Sequence, residues 1–132
     1  MPKPRAVAVV LRGCEILLMR RDRNGVDYHV LPGGGIERGE SPEAACIREL
    51  YEETSLTARV EKQLWRIEHP DRTASYFLMT DVDGEVRLSG PEAKRNSPEN
   101  FYQPVWVDRA QLSGINLQPA VLVERLQSLP QA

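Results

Sequence analysis

Short apolar runs broken by turn residues fill the first third of the chain. Residues 6–11 form a β-rich apolar run, Arg12-Gly13 marks a turn, and residues 15–19 form a second run. Asn24-Gly25 is a strong hairpin dipeptide, because both central positions of that turn need positive φ. A third strand is predicted over residues 26–31, closed by Pro32 and followed by Gly33-Gly34-Gly35, where the chain turns as side-chain-bearing residues resist. Ser41-Pro42 then reads as a helix start, a serine cap with proline in the first helical position, and the helix runs to about Thr54. Strands follow over 58–68 and 74–81, with Asp83-Gly84 as a hairpin turn into a strand at 85–88. Residues 90–103 are polar, carry Pro91 and Pro98, and read as a long loop. A short strand at 105–107 and a terminal helix at 119–126 complete an α+β pattern.

At about 100° per residue, Ala44, Ile47, Leu50, Tyr51 and Thr54 share roughly one third of the helix circumference, which predicts the buried face. Glu49, Glu52 and Glu53 lie together on nearly the opposite side, flanked by Arg48. An ordinary solvated face would intersperse lysines to relieve like charges at i, i+3 and i+4, and none is present. The cluster also follows a triple-glycine turn with further carboxylates at Glu37 and Glu40. Converging carboxylates beside a flexible turn suit a hard divalent cation such as Mg²⁺, which takes oxygen ligands in near-octahedral geometry.

The composition narrows the alternatives. The chain has 132 residues, 41% of them hydrophobic and 27% charged, which is the size and make-up of one globular domain, 1–132. A net charge of −2 excludes a broadly basic surface that coats nucleic acid. No apolar run approaches the roughly 18–20 residues that span a bilayer. The apolar stretch after the N-terminus is too short for a secretory signal, so the predicted location is cytoplasmic, with no membrane partner. Cys14 and Cys46 are too few for a disulfide scaffold and too distant for a zinc knuckle; both are predicted to be reduced, partly buried and without chemistry.

Gly34, Glu40, Arg48, Glu49, Leu50, Glu52, Glu53 and Leu56 stand at spacings that resemble the box of the Nudix hydrolase family, of the MutT-like nucleotide pyrophosphohydrolase kind. Pro32-Gly33-Gly34 and Glu37 are similar to the usual run-in. The resemblance implies a sandwich of a mixed β-sheet flanked by helices. It implies hydrolysis of a nucleoside diphosphate linked to another group, such as a (d)NTP, a dinucleoside polyphosphate or a nucleotide sugar, with Mg²⁺ or Mn²⁺ as cofactor.

Carried onto this chain, Glu49, Glu52, Glu53 and the Gly33 carbonyl are expected to ligate the metal, and Glu52 or Glu53 to polarise the attacking water. Arg48 is expected to orient the glutamates, with Glu40 beside them as a supporting or additional metal group. Arg21, and next to it Arg20, are expected on the substrate phosphates, with Gly34, Gly35 and Glu37 on the substrate side. Glu99 is a candidate additional ligand. Ser55 departs from the family pattern, which has glycine at that helix end, and His29 stands where many relatives carry tryptophan. Trp65, Tyr76, Phe77 and Trp106 are expected in the core, Phe101 and Tyr102 border the long loop, and His29 and His69 are expected to be structural. A homodimer is the family tendency. The other readings are a catalytically inactive nucleotide-binding module, which normally lacks a box glutamate, and an enzyme of RNA 5′ ends, which a basic groove would favour.

Overall fold

A computed structural model describes residues 3–87 and 100–130. Its elements are β1 (Arg5–Val9), β2 (Leu11–Arg12), β3 (Glu15–Arg23), β4 (Val26–Val30), β5 (Gly33–Gly35), α1 (Pro42–Thr54), β6 (Thr57–Glu68), β7 (Thr73–Asp83), β8 (Asn100–Asp108), a 3-10 helix (Arg109–Gly114) and α2 (Leu122–Gln127). One sheet runs β5-β1-β7-β6 and is mixed, with β1 parallel to β7 and antiparallel to β5. The second is antiparallel and centred on β3, which pairs with β2, β4 and β8.

The apolar run at the start of the chain is continuous because β1 is covered on both faces. Ala6, Ala8 and Val10 pack with Leu17, Phe77, Met79 and the α1 residues Ala45, Cys46 and Leu50. Val7 and Val9 face the other way, with Ile16, Leu18, Tyr76, Leu112, Leu122 and Leu126. The result is the expected α+β sandwich, with α1 over one face and the 3-10 helix and α2 over the other.

Local signals hold where the chemistry is local. Asn24 and Gly25 take φ of 53° and 83°, as the hairpin requires. The Ser41 side chain accepts a hydrogen bond from the Ala44 N–H, with Pro42 in the first turn. Ser55 ends the helix in the left-handed region at φ 69°, and its N–H bonds to the Tyr51 carbonyl. The cap that usually falls to glycine is thus made by serine.

Four expectations need correction. Residues 85–87 form no strand, because the Arg87 N–H bonds to the Thr54 carbonyl at the end of α1 and not to a sheet neighbour. The stretch 100–103, read as loop, is the first part of β8, which pairs with β3 back to Arg23. The last helix begins at Leu122, later than position 119. The buried side of α1 is also turned by about one residue, roughly 100°, from the predicted face. Ala45, Cys46, Leu50, Glu53 and Thr54 face inward, while Ile47 and Tyr51 are 36% and 53% exposed.

Candidate active site

One member of that inward face is a carboxylate. Glu53 is 7% exposed, and its Oε1 accepts a hydrogen bond from the Gly33 N–H at 2.8 Å. This bond ties the C-terminal half of α1 to β5 and explains the rotation of the helix. Small Ala45 and Cys46 let α1 come close to the sheet, and Glu53 then reaches the peptide group of the edge strand. Glu49 lies against the same strand. A Cβ placed on Gly34 would lie 2.5 and 2.6 Å from the two Glu49 carboxylate oxygens, so glycine at 34 makes the space that Glu49 fills.

Arg48 gathers the rest. Its Nε and Nη2 hold both oxygens of Glu40 at 2.8 and 2.9 Å, and Nη2 also donates to the Gly35 carbonyl at 3.1 Å. Its Nη1 reaches Glu49 at 2.9 Å and Glu52 at 3.3 Å. One planar cation therefore fixes three carboxylates and the glycine turn, as the fork geometry of arginine allows. These contacts, the Glu40 bond foremost, raise the guanidinium further above its already high value.

Glu40 is held well below the ordinary carboxylate range, from 4.5 to about 2, first by its bonds to Arg48 and next by the Glu37 N–H at 3.0 Å. A carboxylate with a depressed folded value adds stability that is complete above its unfolded value and is lost as pH falls through the folded one. The melting-temperature gap between the parent and Glu40→Gln should therefore be widest above pH 4.5 and close as the pH falls towards 2. Thermal melts of both proteins across that range check this; a gap of constant width would show that the ionised Glu40–Arg48 pair is not its source.

Glu40, Arg48, Glu49, Glu52, Glu53 and Gly33–Gly35 thus form one locus. The side chains of the other expected residues have different partners. Glu37 is exposed and paired with Lys3 at 2.8 Å. Arg20 pairs with Asp27 at 3.1 Å. Arg21 donates to the Tyr102 hydroxyl at 2.8 Å and lies 4.4 and 5.6 Å from the rings of Tyr102 and Tyr28. Its Nε is buried without a hydrogen-bond partner among the described residues. Glu99 lies outside the described residues.

The donor set fits a hard divalent ion in kind: carboxylates and a backbone carbonyl, with the glycine turn shaped to admit one of the carboxylates. Among the described residues no group of three acidic, histidine or cysteine side chains is already closed around a single point. The carboxylates are instead held by Arg48 and the Gly33 N–H.

A cavity of about 470 Å³, connected to this locus by the Arg5 bond to the Gly33 carbonyl, is lined among others by Arg5, Leu31, His69, Asp71, Arg72, Tyr76 and Gln118. Sequence reasoning missed it, because its wall comes from β1, the β6–β7 turn and the start of α2. Tyr76 is buried as expected, and burial pushes its hydroxyl up in pKa. The hydroxyl meets His69 Nε2 at 3.0 Å, which gives that histidine a partner. His29 is structural, with Nδ1 2.7 Å from the Ile115 carbonyl. Arg5 was also missed: its Nη2 donates to the Gly33 carbonyl at 3.1 Å. An arginine opening the most apolar strand of the chain is the signal that points to it. The cysteines differ from expectation in one respect, since Cys14 is exposed. Cys46 is buried, with its thiol pushed up to about 12 by desolvation. Among the described residues no helix is long and apolar enough to cross a membrane.

A mixed-sheet sandwich with an arginine-clamped row of glutamates on a helix, set against a glycine strand, defines a class. The family model of the NUDIX domain matches residues 2–126, and the chain belongs to the NUDIX hydrolase family. It is 35% identical over 92 residues to the ADP-ribose pyrophosphatase of Methanocaldococcus jannaschii, a match covering 65% of this chain and 54% of that protein. The chain thus spans about half the length of that relative. It is 32% identical over 112 residues to the 8-oxo-dGTP diphosphatase of Escherichia coli, covering 80% of this chain and 79% of the relative. In fold it is similar to the crystal structure of a MutT NUDIX hydrolase from Burkholderia pseudomallei, with a TM-score of 0.77, 24% identity and coverage of 98% and 99% of the two chains.

Proposed function

We propose that this protein is a Mg²⁺-dependent hydrolase that cuts the phosphate chain of a nucleoside diphosphate linked to another group. The observation that carries the reading is the juxtaposition of two features. The Arg48-clamped carboxylates and the Gly33 carbonyl form one end of the site, and Arg5, which lines the 470 Å³ cavity, bonds to that carbonyl and links the two. The cavity is large enough to enclose a nucleoside-sized group, and the acidic end suits the metal that its phosphates bring.

In this reading Glu49, Glu52, Glu53 and the Gly33 carbonyl hold the ion. When bound, the metal neutralises phosphate charge and makes water a stronger acid. Glu53 is the fixed member, since its bond to the Gly33 N–H sets both its own position and that of the neighbouring carbonyl. Glu52, 38% exposed against 15% for Glu49, is the carboxylate best placed to accept a proton from water arriving from solvent. Arg48 orients the row without touching substrate. Arg21, which the family resemblance puts on the substrate phosphates, is assigned to a phosphate oxygen. His69 and Gln118 offer hydrogen-bonding groups to the base or sugar in the cavity.

The test is a panel of ADP-ribose, (d)NTPs with and without an oxidised base, dinucleoside polyphosphates, nucleotide sugars and 5′-triphosphorylated RNA, with phosphate and pyrophosphate release as readouts. Hydrolysis of at least one small nucleotide should require Mg²⁺ or Mn²⁺ and stop with EDTA. Nucleotide binding without hydrolysis of any member would replace this reading with that of a binding module. Activity undiminished by chelator would remove the metal.

A further inference from the structure

Arg5 stands where the two halves of the site meet. It opens β1, is half-buried, lines the cavity, and donates from Nη2 to the Gly33 carbonyl at 3.1 Å. That carbonyl belongs to the same peptide strand whose N–H holds Glu53. Gly33 is locked in place from the other side as well. A Cβ there would lie 2.6 Å from the Ala6 carbonyl oxygen and 2.8 Å from the Val7 Cα, so β5 cannot shift towards β1 to offer its carbonyl elsewhere. Whatever binds at this oxygen must therefore deal with Arg5 in place.

The bond joins a cation to a neutral carbonyl, a weaker partner for a guanidinium than a carboxylate or a phosphate. Two positive charges within a few ångströms of one oxygen repel strongly in a half-buried setting. A divalent ion at Gly33 and the guanidinium of Arg5 in its present place thus oppose one another. An anionic phosphate oxygen entering from the cavity relieves the conflict, because it offers the guanidinium a charged partner and leaves the carbonyl to the ion.

Resting on the function proposed above, we propose that Arg5 is a positioning residue that couples metal binding to substrate binding. Its guanidinium covers the Gly33 carbonyl in the empty enzyme and passes to a substrate phosphate as nucleotide enters. The empty protein then holds metal weakly, and nucleotide and metal strengthen each other's binding. By linkage the effect is reciprocal.

The experiment measures Mn²⁺ affinity by electron paramagnetic resonance, with and without a non-hydrolysable nucleotide. It uses the parent, Arg5→Met, Arg5→Gln and Arg72→Met. Arg72 supplies the control for general charge, since it lines the same cavity but pairs with Asp71 at 3.3 Å. Arg5→Met should bind Mn²⁺ about 5-fold or more tightly than the parent when no nucleotide is present. It should also lose most of the gain in Mn²⁺ affinity that nucleotide gives the parent, and its KM should rise. Arg72→Met should leave the nucleotide-free Mn²⁺ affinity within about 2-fold, as screened charges do. Arg5→Gln, neutral and able to donate to the same carbonyl, carries the same test if Arg5→Met does not fold. A parent that binds Mn²⁺, with Arg5 variants that bind it no more tightly, overturns the role of Arg5 and leaves the proposed hydrolase standing. A parent that binds no Mn²⁺ even with the nucleotide present overturns both.

Discussion

Glu53→Gln should lower turnover by about 10²- to 10⁴-fold while leaving the melting temperature nearly unchanged. The amide oxygen of glutamine can still accept the Gly33 N–H bond that Glu53 makes at 2.8 Å, so the tie between α1 and β5 survives. What is lost is the negative charge at a position only 7% exposed. Glu53→Ala should differ in kind. It leaves the Gly33 N–H without its acceptor, at a cost of about 1–3 kcal/mol, and opens a gap at the inward face of the helix. Its activity should fall at least as far, and its melting point should drop by several degrees. Steady-state kinetics and thermal melts on the two variants separate the roles. If Glu53→Gln melts as low as Glu53→Ala, the charge itself holds the fold together, and Glu53 is a structural carboxylate.

This division between fold and charge was invisible in the helical wheel, which grouped Glu53 with Glu49 and Glu52 on the side opposite the predicted buried face. The wheel reads one helix alone, and the bond that turns Glu53 inward comes from Gly33, twenty residues earlier in the chain. The helix bounds were legible because their causes are local: Ser41 and Pro42 at one end, Ser55 at the other. The glycine turn, the carboxylate row and Arg48 were legible because their spacing is itself the motif. The sides of α1 were not, since Ala45 and Cys46 carry little hydrophobic weight yet pack inside, where small size matters more than apolarity. The length of β8 was hidden for a similar reason. Asn100 and Gln103 look like loop residues, and their strand character comes from pairing with Arg23 and Arg20 on β3. Arg5 and the cavity depended on strands and turns far apart in sequence, so nothing short of the assembled sheet brings them together.

Two adjacent glycines offer the sharpest test of how the site is built. Gly34→Ala puts a methyl group 2.5 and 2.6 Å from the Glu49 carboxylate oxygens, closer than any packed contact allows. The obstacle is the end of a flexible side chain, so Glu49 can swing away and the fold can persist. The Ala6–Gly34 pairing between β1 and β5 does not have to change. Glu49 then leaves its place beside Arg48, now 2.9 Å away, and the carboxylate row is broken. Turnover should fall by about 10²-fold, the scale of a catalytic group displaced by about 1 Å, with little change in melting temperature. Gly33→Ala meets backbone instead, the Ala6 carbonyl oxygen at 2.6 Å and the Val7 Cα at 2.8 Å in the central strand. Nothing there can swing aside, so this variant should lose about 1–3 kcal/mol of stability as β5 is pushed off the sheet. Because Gly34→Ala acts through Glu49, combining it with Glu49→Ala should cost little beyond Glu49→Ala alone, a strongly non-additive pair. Additive losses in the double variant would show that residue 34 acts on the site by another route, and a melting point as low as that of Gly33→Ala would show that the glycine at 34 serves the sheet and not the carboxylate.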